Sequence, residues 1–243
     1  MRIFTDKIEG DEYVFGGDSH RHIAYALRCR TGDRITLCPQ DGYDYDGVIE
    51  KIEKDRTTVG IVGKAPSLGE ASVETDVYFG VPHKSDKLDL IVQKLTELGV
   101  SHIRPIMTRF VQASEKSVRT DRLERIAEEA AKQSGRGRIP SVESPVDFDE
   151  MCKNLDGYDL VFFPYEGEKH YSAKSFFYEN TEKKEMRRAA VIVGSEGGFA
   201  PEEAAALEKL GVRGVTLGKR ILRAETACIA ATAILMYELD EMS

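Results

Sequence analysis

From residue 72 onward the chain alternates apolar strand candidates with stretches of helical periodicity, and that alternation restricts it to an α/β fold on a mainly parallel sheet. The strand candidates are Val73–Val81, Ile103–Ile106, Leu160–Phe163, Ala189–Val193 and Val215–Leu217. Among the helices, one is expected with Ser85 as N-cap, Leu88, Ile91, Val92, Leu95 and Leu98 along one face, and Gly99 just past its end. A second starts at Thr120-Asp121 and buries Leu123, Ile126, Ala127, Ala130 and Ala131. A third has Pro201 at its first position, Glu202 and Glu203 at the positive end of its dipole, and Gly211 as stop. The last, Ala224–Leu239, is apolar almost all round and belongs in a core or at an interface.

The first 64 residues follow a different pattern. Short β segments at Arg34–Cys38, Gly42–Ile49 and Thr57–Val62, separated by close turn signals, suggest a small barrel. His20–Arg28 reads as one short helix with Ile23, Ala26 and Leu27 inward. Ala65–Ser72 carries turn formers and little periodicity, which places a domain boundary there: 1–70 as the β domain and 71–243 as the α/β domain. A total of 243 residues suits such a pair. Cys29, Cys38, Cys152 and Cys228 lie far apart with no metal-ligand spacing, so neither a disulfide scaffold nor a metal site is expected, and His20 and His22 read as turn or RNA-surface residues. No apolar run approaches the roughly 18 residues of a membrane span, and residues 1–6 lead into no signal-peptide core; the expectation is a cytoplasmic protein away from membranes.

A net charge of −8 argues at first against a polyanionic partner. The distribution argues otherwise, because 84–138 carries a net +4 while 139–243 carries −7. Phosphate contacts depend on local Lys and Arg, so this basic third is a candidate RNA face as well as a set of solvated helix surfaces.

Open α/β sheets bind ligands outside the carboxyl ends of their strands. Two loops there carry unusual residues. The loop after Val193 reads Gly194-Ser195-Glu196-Gly197-Gly198-Phe199-Ala200, with more glycine than a plain strand-to-helix turn requires and a helix N-terminus following. The loop after Leu217 reads Gly218-Lys219-Arg220-Ile221-Leu222-Arg223-Ala224-Glu225-Thr226-Ala227. Gly214 to Arg220 is one residue too short for a P-loop and has Arg where a magnesium-holding Ser or Thr is needed; the dinucleotide pattern GxGxxG is also absent. What remains is an apolar, glycine-rich crevice with few fixed charges, and S-adenosylmethionine, which has adenine and ribose but no phosphates, suits it better than ATP.

These loops also carry a family likeness. With His22 to Arg28, Gly32-Asp33, Gln93 to Val100, Ile103, Pro105, Glu129 to Arg136, Gly194 to Phe199 and Leu217 to Ala227 in order and at matching spacing, the chain resembles the bacterial 16S ribosomal RNA uridine-N3 methyltransferases, the RsmE family of the SPOUT class. It departs from the family pattern at Ser195, where proline is usual, and at Ala200, where Ser or Thr is usual. The second change should remove an N-cap worth about 0.5–2 kcal/mol. The resemblance implies a PUA-like RNA-binding barrel, a SPOUT domain with a deep trefoil knot, a homodimer, S-adenosylmethionine as methyl donor, and 16S rRNA of the small ribosomal subunit as substrate. A 2′-O-ribose methyltransferase of the same superfamily and a non-catalytic RNA-binding protein are the two alternatives.

From the resemblance and the loop positions, Gly194, Glu196, Gly198, Leu217, Gly218, Ile221, Leu222 and Ala227 surround the cofactor, and Glu166 either reaches its ribose or amine or stays a solvated loop acid. Arg223 is first choice to stabilise the uridine imide anion, its alternatives being a salt bridge to Glu225 or a phosphate contact. Glu196 and Glu225 are the candidate bases, but a structural carboxylate capping a nearby backbone amide is the favoured role for each, so no base is assigned. Gln133 and Arg136 are placed toward RNA, with Arg28. Lys84, Lys87 and Lys94 share a helical face suited to phosphate or to solvent.

Overall fold

In the computed structural model five strands form the N-terminal sheet: β1 (Arg2–Phe4), β2 (Glu12–Gly16), β3 (Arg34–Cys38), β4 (Tyr43–Ile52) and β5 (Arg56–Pro66). Their order is β1-β3-β4-β5-β2, antiparallel except for the β1–β3 pair. Two register shifts in β4 against β5, after Asp46 and after Ile49, curl the sheet into a half-barrel. Gly47 makes the first possible: a Cβ there would lie 2.5 Å from Val59 Cγ1. The concave face collects Ile3, Phe15, Ile23, Ile35, Leu37, Ile49 and Val59. Strand β5 runs through Ala65 and Pro66, so the turn-rich stretch begins two residues later than the sequence suggests.

The short helix expected over His20–Arg28 is corrected. Helix α1 (Gly17–Arg21) starts earlier and passes into a π-turn over His22–Ala26, closed by Leu27 N–H donating to the His22 carbonyl at 2.9 Å. The wider turn shifts the phase of the following side chains, so Ile23 is buried but Ala26 and Leu27 face solvent.

Residues 1–181 and 186–242 are described by the structure, and they divide into two units, 1–70 with 131–139, and 71–130 with 140–243. Within the first, the Arg2 guanidinium grips Asp44 with two bonds of 2.7 Å and Ser67 donates to the same carboxylate. Burial pushes the Asp44 carboxyl up, but these bonds outweigh it and hold it below its ordinary value. Arg136 corrects another expectation. It is 3% exposed and tied to Glu70 at 2.8 Å, while the Gly137 and Arg138 amides donate to that same carboxylate; it braces the chain and presents no guanidinium to RNA.

The second unit is built on β6 (Glu74–Gly80), α2 (Ser85–Glu97), β7 (His102–Met107), α3 (Thr120–Ser134, whose residues from Ala131 on belong to the first unit), β8 (Ser141–Val142), β9 (Val146–Asp147), α4 (Phe148–Lys153), β10 (Leu160–Pro164), α5 (Ala173–Thr181), β11 (Arg188–Val193), α6 (Pro201–Lys209), β12 (Gly214–Val215) and α7 (Ala224–Glu238). The sheet runs β12-β10-β11-β6-β7-β8, with β9 also on β7, and every pairing among the described residues is parallel. Burial on both faces explains the unbroken apolar run of β11 after Arg188 and the apolar end of β6 from Val77, although β6 also buries Thr75 and Asp76. Helix α2 buries Leu88, Ile91, Val92, Leu95 and Thr96, a stripe worth about 1.5–3 kcal/mol per large aliphatic side chain. Its N-cap is Lys84, which offers no acceptor, and Ser85 is already helical. Gly99, at φ +90°, closes the helix as expected. Strand β12 is two residues long, so Leu217 belongs to the loop after it.

Candidate active site

The site grows from the carboxyl ends of β10, β11 and β12. Their loops, 165–172, 194–200 and 216–223, leave one side of the sheet together because the three strands are adjacent and parallel. Between them lies a cleft of about 1040 Å³.

Backbone packing shapes the wall formed by 194–200. A Cβ on Gly194 would lie 2.9 Å from the Gly198 Cα, and a Cβ on Gly80 would lie 2.3 Å from the Ser195 nitrogen. The Gly198 amide closes the turn by donating to the Ser195 carbonyl at 2.9 Å, with Gly198 at φ +69°. Side chains at these places would force the loop off the sheet. Ala200 caps nothing, and the expected loss of an N-cap is softened by Glu203, whose carboxylate accepts the Ala200 amide at 2.8 Å and the Arg109 amide at 2.9 Å.

The structure brings the predicted cofactor group together. Glu166, Gly194, Glu196, Gly198, Leu217, Gly218, Ile221, Leu222 and Ala227 all line the cleft, as does Arg223, an exposed residue at the N-cap of α7. Glu166 leans over Gly198 so closely that a Cβ there would meet its Oε1 at 1.9 Å. Glu225 stays outside the lining and sits 3.5 Å from Lys87 Nζ. Lys87 also binds Glu196 at 3.1 Å, and the His83 amide donates to the same carboxylate. Burial pushes the Glu196 carboxyl up, but these bonds prevail and leave it below its ordinary value; beside them the Lys87 ammonium is raised. Glu196 is therefore an anion throughout the neutral range, the opposite of a base tuned near neutral pH.

Other expectations fare differently. The crevice carries more charge than its apolar sequence suggests, because Lys87, Lys169, His170, Lys219 and Arg220 join its lining. Lys219 and Arg220 stand in the loop after Leu217, but Lys87 comes from α2 and Lys169 and His170 from the loop after β10, which only the fold brings to the same cleft. Of the RNA candidates, Arg28, Lys84 and Gln133 are exposed, whereas Lys94 is paired with Glu97 at 2.7 Å. Sequence reading passed over Tyr165, which stacks on Phe163 with centroids 5.5 Å apart and lies so near Gly167 that a Cβ there would touch its ring at 2.4 Å. The run Phe162-Phe163-Pro164-Tyr165-Glu166-Gly167, an apolar strand ending in a glycine turn, was the available signal.

A parallel α/β sheet with a glycine-walled cleft outside its strand ends, and no phosphate loop, defines the class of α/β proteins that bind a small nucleoside-type ligand. The chain belongs to the RNA methyltransferase domain family, whose model matches residues 69–236. It is 29% identical over 239 residues to the ribosomal RNA small subunit methyltransferase E of Bacillus subtilis, across 96% of this chain and 92% of that protein. A methyltransferase of Legionella pneumophila, solved with S-adenosylmethionine bound, has 25% identity and a TM-score of 0.83, covering 97% of this chain and 96% of that one. The ribosomal RNA small subunit methyltransferase E of Neisseria gonorrhoeae, also with S-adenosylmethionine, shares the fold at a TM-score of 0.85 and 24% identity, with 97% and 96% covered. No helix among the described residues is long and apolar enough to cross a membrane.

Proposed function

We propose that this protein uses S-adenosylmethionine to methylate N3 of a uridine in 16S rRNA of the small ribosomal subunit. The observation that carries the proposal is the cleft outside β10, β11 and β12, where every residue expected to hold the cofactor converges. The residues fit such a ligand. Gly194 and Gly198 leave a backbone cradle that a Cβ would fill, Glu166 offers a carboxylate to an amine or to ribose hydroxyls, and the buried Ser195 Oγ has no hydrogen-bond partner in its surroundings. When bound, the cofactor supplies an activated methyl group on a sulfonium.

The chain's own residues do the rest. Loops 194–200 and 216–223 fix the donor by backbone contacts and hold it for an in-line displacement. Arg223, from the cleft side, supplies positive charge that stabilises the uracil anion developing as N3 loses its proton. Lys87 adds positive potential while locking Glu196, and the N3 proton leaves to water.

The same reading takes the curled N-terminal sheet as a PUA-like RNA-binding module of residues 1–70, with Arg28 on its surface and with Lys84 and Gln133 as further phosphate contacts. It takes 71–243 as the methyltransferase domain, knotted near its C-terminus. It also makes the protein a cytoplasmic homodimer. Support for the dimer comes from α7, where Ile229, Ala230, Ala233 and Ile234 are only half-buried and Tyr237 is 71% exposed. The test is incubation with labelled S-adenosylmethionine and unmethylated small subunits, followed by digestion of the RNA. N3-methyluridine is the expected product; a 2′-O-methyl nucleoside, or no label, overturns the reading.

A further inference from the structure

A second pocket, of about 630 Å³, adjoins the cofactor cleft and shares Glu196 and Gly197 with it. Its other walls are His83, Arg109, Phe110, Val111 and Gln112, from the loops that follow β6 and β7. We propose that this pocket receives the target uracil, stacked on Phe110 and gripped at its two carbonyl oxygens by Arg109 and Gln112. The inference rests on the methyl-transfer reading above, and it names the place where the acceptor base sits.

Three observations carry it. Methyl transfer needs donor and acceptor within about 3–3.5 Å, so an acceptor site must open directly onto the donor cleft. The shared Glu196-Gly197 wall provides that opening. Next, Phe110 is 43% exposed although it is a large aromatic residue, and it is seated by Gly197, where a Cβ would lie 2.6 Å from the Phe110 Cβ. A fixed, accessible ring beside a polar pocket is a platform for a planar base. Lastly, the Glu203 carboxylate accepts the amide of Arg109 and that of Ala200, which ties the loop carrying Phe110 to the wall of the cofactor cleft. One side chain thus holds both loops in a fixed relation.

The polar lining selects the base. Uracil presents carbonyl oxygens on either side of N3, and the pocket offers donors: the Arg109 guanidinium, free of ion pairs among the described residues, and the Gln112 amide. Those bonds strengthen as N3 deprotonates and charge spreads onto both oxygens. Cytosine, with an amino group in place of one carbonyl, would set donor against donor.

The chain contains no tryptophan, which makes the test direct. Phe110→Ala should lower kcat/KM for RNA roughly 10- to 100-fold with the Kd for S-adenosylmethionine unchanged. Phe110→Trp should keep activity within about threefold, since it preserves a stacking face. Its emission should be quenched when uridine monophosphate is added to the complex with S-adenosylhomocysteine. Wild-type kcat/KM in Phe110→Ala, or emission unmoved by saturating uridine monophosphate, overturns the inference. The emission experiment requires no turnover, so failure of the methyl-transfer reading, seen as unlabelled RNA with wild-type protein, registers separately.

Discussion

Replacing Gly198 by alanine probes the coupling between the glycine wall and Glu166. Two costs separate cleanly. Gly198 has φ +69°, a conformation that costs an L-residue about 1–2 kcal/mol, and in a domain of this size each kcal/mol lowers Tm by about 2–4 °C. The fall in Tm should therefore be about 2–8 °C. The second cost is to binding. The new Cβ would stand 1.9 Å from Glu166 Oε1, so the carboxylate must swing out of the cleft. A hydrogen bond to a charged group contributes about 1.5–3 kcal/mol, and since Glu166 is exposed the lower end applies, giving about tenfold weaker binding of S-adenosylmethionine. Glu166→Gln alone should cause a similar tenfold loss with no change in Tm. Because both changes remove the same carboxylate, the double variant should bind hardly less well than either single one while retaining the Tm loss of the glycine change. Isothermal titration and thermal melting of the four proteins measure all of this. Undiminished affinity in Gly198→Ala, or in its bulkier counterpart Gly198→Val, or additive losses in the double variant, would refute the argument that Glu166 works from above Gly198.

Arg223→Ala should reduce kcat by about 100-fold or more while Tm stays within about 1 °C, because the exposed N-cap side chain makes no capping bond; measurable wild-type turnover removes it from the mechanism. Glu196, held below its ordinary carboxylate value, is ionised across pH 6–9, so Glu196→Gln should leave the shape of the pH–rate profile there unchanged even if the rate falls. Disappearance of a limb of that profile would restore Glu196 as the base. The third concerns Asp44, whose folded carboxyl lies below the ordinary 3.8. Its stabilising contribution is complete above that value and is lost as pH falls through the lower folded value, so the stability gap between wild type and Asp44→Asn, about 1–3 kcal/mol at pH 7, should close in acid. Denaturant melts between pH 7 and pH 2 check it, and a gap that persists to the lowest pH contradicts the pairing with Arg2.

Periodicity in sequence reports the burial of a regular element, because a strand or helix repeats its contacts at a fixed spacing. For that reason α2, α3, α6 and α7 and the cores of β6, β10 and β11 were legible along the chain, as were the two glycine-bearing loops. What fails to repeat was not legible. The π-turn after α1 slips the phase of Ala26 and Leu27 within a single turn, and no local signal announces it. Arg136 lies in a basic stretch that reads as an RNA surface, yet it is buried against Glu70, 66 positions away, and only tertiary contact decides between those roles. Charge in the cleft follows the same rule. Lys87 lies on a helix face with Lys84 and Lys94, and in sequence the three are equivalent; the fold points Lys87 at Glu196 and Glu225, pairs Lys94 with its own neighbour and leaves Lys84 in solvent.

The sequence by itself determined the α/β class, the β segments before it, the glycines that let backbone approach backbone, and the two glycine-bearing loops that form part of the cleft. Tertiary structure alone decided that Glu196 is a locked anion, that Glu225 stands outside the lining, and that a second pocket with an exposed Phe110 opens beside the first. The physical reason is that the apolar repeat of a regular element and the backbone conformations open to glycine are written in neighbouring residues, whereas the protonation of a carboxylate and the shape of a pocket are set by groups that parallel strands bring together from tens or hundreds of residues apart.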